Sequence, residues 1–298
     1  MIKIGLVGAA KRWHGIAFSE IINGYDKDKA VANKWRPLSN VKLEKDAKIT
    51  HIWSLDKKDA QEVAGICGID NVVNEKEDMI GKVDAVLIPD DSTLKHQKHA
   101  LAFLKAGIPV FIDKPFSPDI EEVRELMALA KKHSAPLMSC SALRYAKETL
   151  DLRNKKDDIG DILTGSAICK EELGNLIYYG IHPIELLVSV VGPGIKSVKN
   201  IGEKSKDLII IKYKDCREFV IFAYEAIDYV FQLNLYGTKG FRTINVQDSN
   251  SFYFNMLTDF IKMVETKTEP IPLSETLEIV QTVVLAEESK EGNREMFL

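Results

Sequence analysis

The chain has 298 residues, a formal net charge of −4 and 45% hydrophobic residues, enough material for two domains with their own cores. A mildly acidic balance excludes the basic footprint of a nucleic-acid binder. No apolar run reaches the roughly 18 residues of a membrane span, and no basic-then-apolar leader opens the chain; a cytoplasmic protein is expected. Cys67, Cys140, Cys169 and Cys216 are scattered and read as reduced thiols. The histidines are equally dispersed, so no metal is expected.

Residues 2–7 form an apolar run that ends at Gly8 and reads as a buried strand. A helix over 16–22 stops at Asn23-Gly24. Residues 25–48 are polar and weakly periodic, carry Trp35 and Pro37, and read as an insertion. Strands follow at 49–55, 83–88 and 109–112, with helices at 59–64, closed by Gly65, and 96–106, closed by Gly107. Ser117-Pro118 opens another helix, with Ser as cap and Pro in the first position. Asp119, Glu121 and Glu122 complement its dipole, and Ile120, Val123, Met127 and Ala130 share one face. A fifth strand covers 137–142. This alternation predicts an α/β unit over 1–142 with a Rossmann-type, doubly wound parallel sheet.

Residues 143–298 change character. Strands are expected at 162–169, 208–213, 219–224 and 229–236, and helices at 179–191, 252–265 and 274–289. Phe231, Leu233 and Leu235 alternate with Gln232, Asn234 and Tyr236, giving one buried and one polar face. Gly237-Thr238-Lys239-Gly240 is a turn. The pattern predicts an α+β domain with an open, mostly antiparallel sheet.

The first turn, Gly8-Ala9-Ala10-Lys11-Arg12-Trp13-His14-Gly15, has the form of a dinucleotide cradle, in which a pyrophosphate rests on backbone N–H groups at a helix start. Gly8 fits the first glycine, and Ala10 occupies the second position. Trp13 stands where a small residue allows close packing, unless Gly15 takes that role in a longer loop. Trp13 and His14 either cover the pyrophosphate or shorten the site. Gly8, Ala10, Lys11 and Arg12 are the candidate cofactor contacts here. Asp56, after the second strand, either binds the ribose hydroxyls or caps the next helix, or does both. Its charge favours NAD over NADP, a preference that Lys57 and Lys58 weaken. Asp90 and Asp91 end the third strand at a ligand-binding edge or in an ordinary turn.

The segment Val110-Phe111-Ile112-Asp113-Lys114-Pro115-Phe116 resembles the strand-ending E/D-K-P motif of the glucose–fructose oxidoreductase and inositol dehydrogenase (Gfo/Idh/MocA) family. Further stretches are similar in order: His96-Gln97-Lys98-His99-Ala100, Leu143-Arg144-Tyr145, Gly180-Ile181-His182 with Glu185, and the turn from Gly237 to Gly240. The likeness spans nearly the whole chain apart from 25–48.

The resemblance implies a nicotinamide cofactor, NAD or NADP, and hydride exchange with a hydroxyl or carbonyl carbon of a sugar or cyclitol. A proton must then move on the substrate oxygen. Lys114 is the candidate to bond that oxygen, against the alternative of a solvated lysine. His182 is the candidate proton carrier, imidazole being the side chain that titrates nearest neutral pH, against the alternative of a packed helix-start histidine. The family commonly has Asp four residues before this histidine; here it is Tyr178, whose phenol either donates the proton, acidified by Lys114, or marks a lineage without dehydrogenase activity. His96 and Asp113 are further cofactor-site candidates. Arg144 either grips substrate or forms a structural ion pair. Glu171 and Glu172 read as a solvated run. A homodimer or homotetramer is expected by analogy. Two other functions stay open: a relative that binds a nucleotide or sugar without turnover, and an NAD-assisted glycosidase.

Overall fold

A continuous apolar run buried on both faces belongs in the middle of a parallel sheet, and β1 (Ile2–Gly8) lies there. The structure is a computed structural model that describes all residues except 45, 91–94 and 172–175. After β1 come α1 (Trp13–Asn23), α2 (Lys27–Ala32), β2 (Ala47–Ser54), α3 (Lys57–Cys67), β3 (Asn71–Val72), β4 (Ala85–Ile88), α4 (His96–Lys105), β5 (Val110–Ile112), α5 (Ile120–Lys132) and β6 (Leu137–Met138). Their strands form one sheet in the order β3-β2-β1-β4-β5-β6, parallel throughout. The order reverses between β1 and β4, the point at which such sheets bind ligands.

The second half holds α6 (Lys147–Asn154), β7 (Ile162–Lys170), α7 (Leu176–Tyr179), α8 (Ile181–Val191), β8 (Ile195–Asn200), β9 (Lys206–Tyr213), β10 (Glu218–Tyr224), β11 (Phe231–Gly237), β12 (Gly240–Asn245), α9 (Ser249–Thr266), α10 (Leu273–Gly292) and β13 (Met296–Phe297). The sheet order is β12-β11-β7-β10-β9-β8-β13. Only β7 and β10 pair in parallel; the other pairs are antiparallel. Helix α8 packs on β7 and β11. The fold class read from the sequence, a Rossmann sheet followed by an α+β sheet, is therefore the observed one.

The chain divides into two compact units. One comprises Met1–Ser117, Glu121–Ser139 and Tyr253–Leu273; the other comprises Pro118–Ile120, Cys140–Phe252 and Ser274–Leu298. A single cut after residue 142 thus misses most of α9, whose Phe260 packs edge-on against Phe111 of β5.

Several local expectations change. Helix α3 runs past Gly65 and ends at Gly68, which adopts the left-handed conformation and returns its N–H to Ala64. Helix α5 begins at Ile120, so Ser117 is not its cap; the Ser117 hydroxyl donates to the Glu122 carboxylate instead. The expected helix at 179–191 is two pieces, α7 and α8, separated at Gly180, where a Cβ would lie 2.3 Å from Leu176 Cδ1.

Between α1 and β2, Trp35, Leu38, Ser39 and Leu43 hydrogen-bond back to α1. Asp26 caps α2 by accepting from the Asp28 and Lys29 amides. Glu20, only 1% exposed, accepts from Trp35 Nε1 at 2.7 Å and from the Leu38 and Ser39 amides at 2.8 Å each. One buried carboxylate therefore fixes the segment's return. Replacing it should leave three donors unmet, two of them buried. Glu20→Ala is expected to cost about 3 kcal/mol and to open residues 33–44 to limited proteolysis before global melting.

Two acids of the second sheet's strands and their ends, Glu171 and Asp207, are buried. Asp207 pairs with Lys290 at 2.8 Å and accepts from Asn200. Glu171 is 1% exposed, not part of a solvated run; Glu172 lies outside the described residues. Burial, then the Asp207 charge, pushes the Glu171 carboxyl up to about 7. A carboxyl that holds its proton in the folded state but loses it on unfolding destabilises the fold as pH rises between its ordinary value and about 7. Glu171→Gln should raise Tm at pH 8 and change it little at pH 4, measured by calorimetry across that range.

Candidate active site

The site in the first unit starts from the turn after β1. Gly8 has φ +123°, and a Cβ on it would stand 2.9 Å from Asp90 Cβ. The ends of β1 and β4 therefore meet with no room for a side chain. The turn is closed by Ala10 N–H to Gly8 O at 3.0 Å and Arg12 N–H to Ala9 O at 3.1 Å. It wraps over Gly15, where a Cβ would be 2.4 Å from Ala10 O. Gly15, not position 13, thus provides the close packing, and Trp13 stays outside, 53% exposed.

Helix α1 begins at this turn with no side-chain cap and no acidic residue in its first turn. Among the described residues, no side chain caps its leading N–H groups and no acid of its own stands at the positive end of its dipole, the condition for an anion cradle. Lys11 leaves the turn to pair with Glu62 of α3 at 2.7 Å. Asp56 is exposed and caps α3 through Oδ1, accepting from Lys58 N–H at 2.8 Å.

Asp90 is fully buried, and its Oδ2 pairs with His99 Nε2 at 3.1 Å. It anchors the end of β4 and does not line an open edge; Asp91 lies outside the described residues. His96 is fully buried. Its Nδ1 donates to Phe116 O at 2.9 Å, while Nε2 is a buried ring nitrogen with no partner among the described residues.

Lys114 follows β5 and is only 8% exposed, so it is not a solvated lysine. It precedes Pro115 across a cis peptide bond. Its backbone N–H donates to Asp113 Oδ1 at 2.9 Å. The other oxygen of Asp113 pairs with His14 Nδ1. His14 thus neither covers a phosphate nor shortens the turn; it points inward. Burial alone would raise the Asp113 carboxyl, but the charges of His14, Lys114 and His96 outweigh it and hold it below the usual carboxylate range.

In the second unit, His182 opens α8 and accepts or donates at Nδ1 with Ser141 Oγ at 2.7 Å. Its ring lies edge-on to Phe231 and Tyr179. Tyr178 is half-exposed on α7. Arg144 takes the structural one of its two expected roles: Nε pairs with Glu185 and Nη2 with Glu275, both at 2.5 Å, in a buried setting. Sequence reasoning missed His14 as an inward ligand of Asp113, and Ser141 as the partner of His182. A polar residue in an otherwise apolar helix start was the only available signal for the first. Nothing in the local sequence marks the second, which joins residues 41 positions apart.

Burial raises the Glu185 carboxyl against the lowering effect of Arg144. Arg144→Ala would strand that charge, at an expected cost of about 3–5 kcal/mol near neutral pH. Protonation of Glu185 should relieve the loss, so the deficit in urea unfolding should shrink at pH 5 and widen at pH 8.

An all-parallel sheet of this strand order, with a glycine turn feeding an uncapped helix at the switch point, defines a dinucleotide-binding Rossmann unit. Residues 2–140, a little under half of the chain, match the model described as "Oxidoreductase family, NAD-binding Rossmann fold", so this N-terminal part is similar to the Gfo/Idh/MocA oxidoreductases. Solved structures share the whole fold. A "probable dehydrogenase" from Thermotoga maritima has a TM-score of 0.84 at 17% identity, over 99% of this chain and 98% of that one. Scyllo-inositol dehydrogenase from Lactobacillus casei, solved with NAD(H) and scyllo-inositol, has a TM-score of 0.81 at 17% identity over the same shares. A myo-inositol dehydrogenase from Corynebacterium glutamicum gives 0.81 at 15% identity, over 100% of this chain and 98% of that one. A sequence comparison with curated proteins gives no match. Among the described residues, no helix is long and apolar enough to cross a membrane.

Proposed function

We propose that the protein is an NAD(P)-dependent oxidoreductase that exchanges a hydride between nicotinamide and a hydroxyl or carbonyl carbon of a sugar- or cyclitol-like substrate, acting in the cytoplasm. The observation that carries this reading is the meeting of two features at one sheet edge. The uncapped start of α1 touches, through His14, the residue that precedes buried Lys114. The residues present fit the cofactor: Gly8 and Gly15 leave space, Ala10, Lys11 and Arg12 frame the cradle, and the Nε2 of His96 is a buried ring nitrogen with no partner among the described residues. When bound, nicotinamide supplies the hydride acceptor or donor. Asp113 and Asp90 hold the strand ends behind it.

Lys114 takes the substrate oxygen and favours its negative charge. In the second unit, Ser141 orients His182 through Nδ1, so the Nε2 side serves proton transfer, and Tyr178 is the second donor. Arg144 supports this unit from within, through its ion pairs. The exposed carboxylate of Asp56, near Lys11, disfavours a 2′-phosphate and supports NAD over NADP. A relative that binds without turnover is the second reading, favoured by Tyr178 standing where the family has Asp.

We also read the protein as a homo-oligomer, dimeric or tetrameric. Buried and half-exposed residues alternate along β9 and β10, and the half-exposed set includes Leu208, Ile210, Val220 and Phe222. That face is apolar where β11 offers polar Gln232 and Asn234. Phe222→Glu should lower the mass measured by sedimentation without lowering Tm by more than a few degrees; an unchanged mass overturns the assignment of this face.

Calorimetry with NAD and NADP tests the enzymatic reading. NAD should bind at micromolar concentration and NADP at least tenfold more weakly. Asp56→Asn keeps a capping oxygen and should narrow that gap. Lys114→Ala should keep cofactor affinity and lose at least 100-fold in turnover in a polyol screen. Binding of neither cofactor would sink the proposal; binding without turnover of any polyol would move it to the second reading.

A further inference from the structure

The turn from Gly8 to Gly15 contains one polar side chain that faces the interior. His14 is 8% exposed and lies on the face of α1 that also carries Phe18. The two rings stack at 5.7 Å and 6°, and Tyr253 meets the His14 ring edge-on at 5.4 Å. Phe18 in turn packs edge-on against Tyr253 and Phe111. This aromatic box leaves the imidazole little freedom, and its Nδ1 is bonded to Asp113 Oδ2. Oδ1 of the same carboxylate accepts the Lys114 N–H. A continuous chain of bonds therefore runs from the second residue of α1 to the backbone of Lys114.

Helix α1 has no cap of its own, so an anion bound at its start would be held by the same turn of helix that carries His14. We propose that His14 is a positioning residue that couples the anion-binding start of α1 to the placement of Lys114, through the two oxygens of Asp113. This rests on the oxidoreductase reading for its consequence in turnover, though not for the structural link itself. With an anion held at the start of α1, His14 would pass the constraint of that turn to Asp113, which holds the Lys114 backbone through its N–H. His14 touches neither substrate nor cofactor.

Two variants break the link from opposite ends. His14→Gln removes the imidazole, and Asp113→Asn keeps the shape of the carboxylate without its charge. Amide hydrogen exchange, followed by NMR with and without NAD, reads the link directly. In both variants the Lys114 amide should exchange at least tenfold faster, while Phe111 and Ile112 within β5 keep their protection. NAD should slow Lys114 exchange in the natural protein and have much less effect in His14→Gln. In turnover, kcat should fall at least 30-fold in both variants while cofactor affinity stays within threefold. His14→Lys, which returns a cation to Asp113, should recover part of kcat.

Unchanged Lys114 exchange in both variants overturns the proposal. So does a fall in cofactor affinity that accounts for the whole loss of turnover, because His14 would then be a cofactor ligand. If the natural protein binds no NAD, the oxidoreductase reading fails, and inorganic pyrophosphate serves as the anion. Slowing of Lys114 exchange by pyrophosphate, lost in His14→Gln, would then still support the coupling, and its absence would overturn it.

Discussion

Everything at the carboxyl edge of the parallel sheet depends on how closely β1 and β4 approach there. A side chain on Gly8 would drive a Cβ to 2.9 Å from Asp90 Cβ, so that approach is possible only because position 8 carries none. The same economy recurs one turn later, where Gly15 lets the carbonyls of Ala9 and Ala10 lie against the helix. With both contacts made, the chain enters α1 along a path that leaves its first N–H groups outward and its second side chain inward. The anion cradle and the His14–Asp113 pair are two results of one backbone route. A bulkier residue at either glycine would displace both.

Buried polar groups elsewhere show why a candidate list drawn from residue types is too generous. Asp90, Arg144 and Glu185 all have the chemistry of active-site groups, yet each is engaged by an internal partner. A charge removed from water is costly unless it is paired and hydrogen-bonded, so most buried ionic groups serve the structure that surrounds them. His96 differs: its Nε2 is a buried ring nitrogen with no partner among the described residues. That is a position where the fold carries a cost that a ligand can offset.

The architecture was legible because its signals are long-period ones. Strands with continuous apolar runs and helices with one apolar face declared the parallel unit from β1 to β6, and the alternation Phe231, Leu233, Leu235 declared β11. What was missed is short or held by distant partners. The two-residue β3 has no period of its own; pairing with β2 creates it. Half-exposed β12 buries almost nothing and depends on β11 for its hydrogen bonds. Residues 25–48 read only as a weakly periodic insertion because the bonds that hold Trp35, Leu38 and Ser39 come from Glu20, a single acid in an apolar helix. At the site, Lys114 was marked by its neighbours Asp113 and Pro115. His14 and Ser141 were not, because each acts on a residue far away in sequence.

An imidazole–carboxylate pair buried among Phe18, Phe111 and Tyr253 contributes little net stability. Desolvating both groups costs about as much as their attraction returns, and apolar residues of the same volume would serve a core at least as well. What an apolar pair lacks is direction. Hydrophobic contact tolerates rotation and small shifts, whereas the two oxygens of Asp113 must meet one ring nitrogen and one amide hydrogen at once. Such a geometry admits a single arrangement of the strand end that carries Lys114. A catalytic group that must reach a reacting atom to within a fraction of an ångström needs that kind of support. The position of His14, one residue inside the helix that would hold the cofactor's charge, makes the support available from the cofactor's side as well.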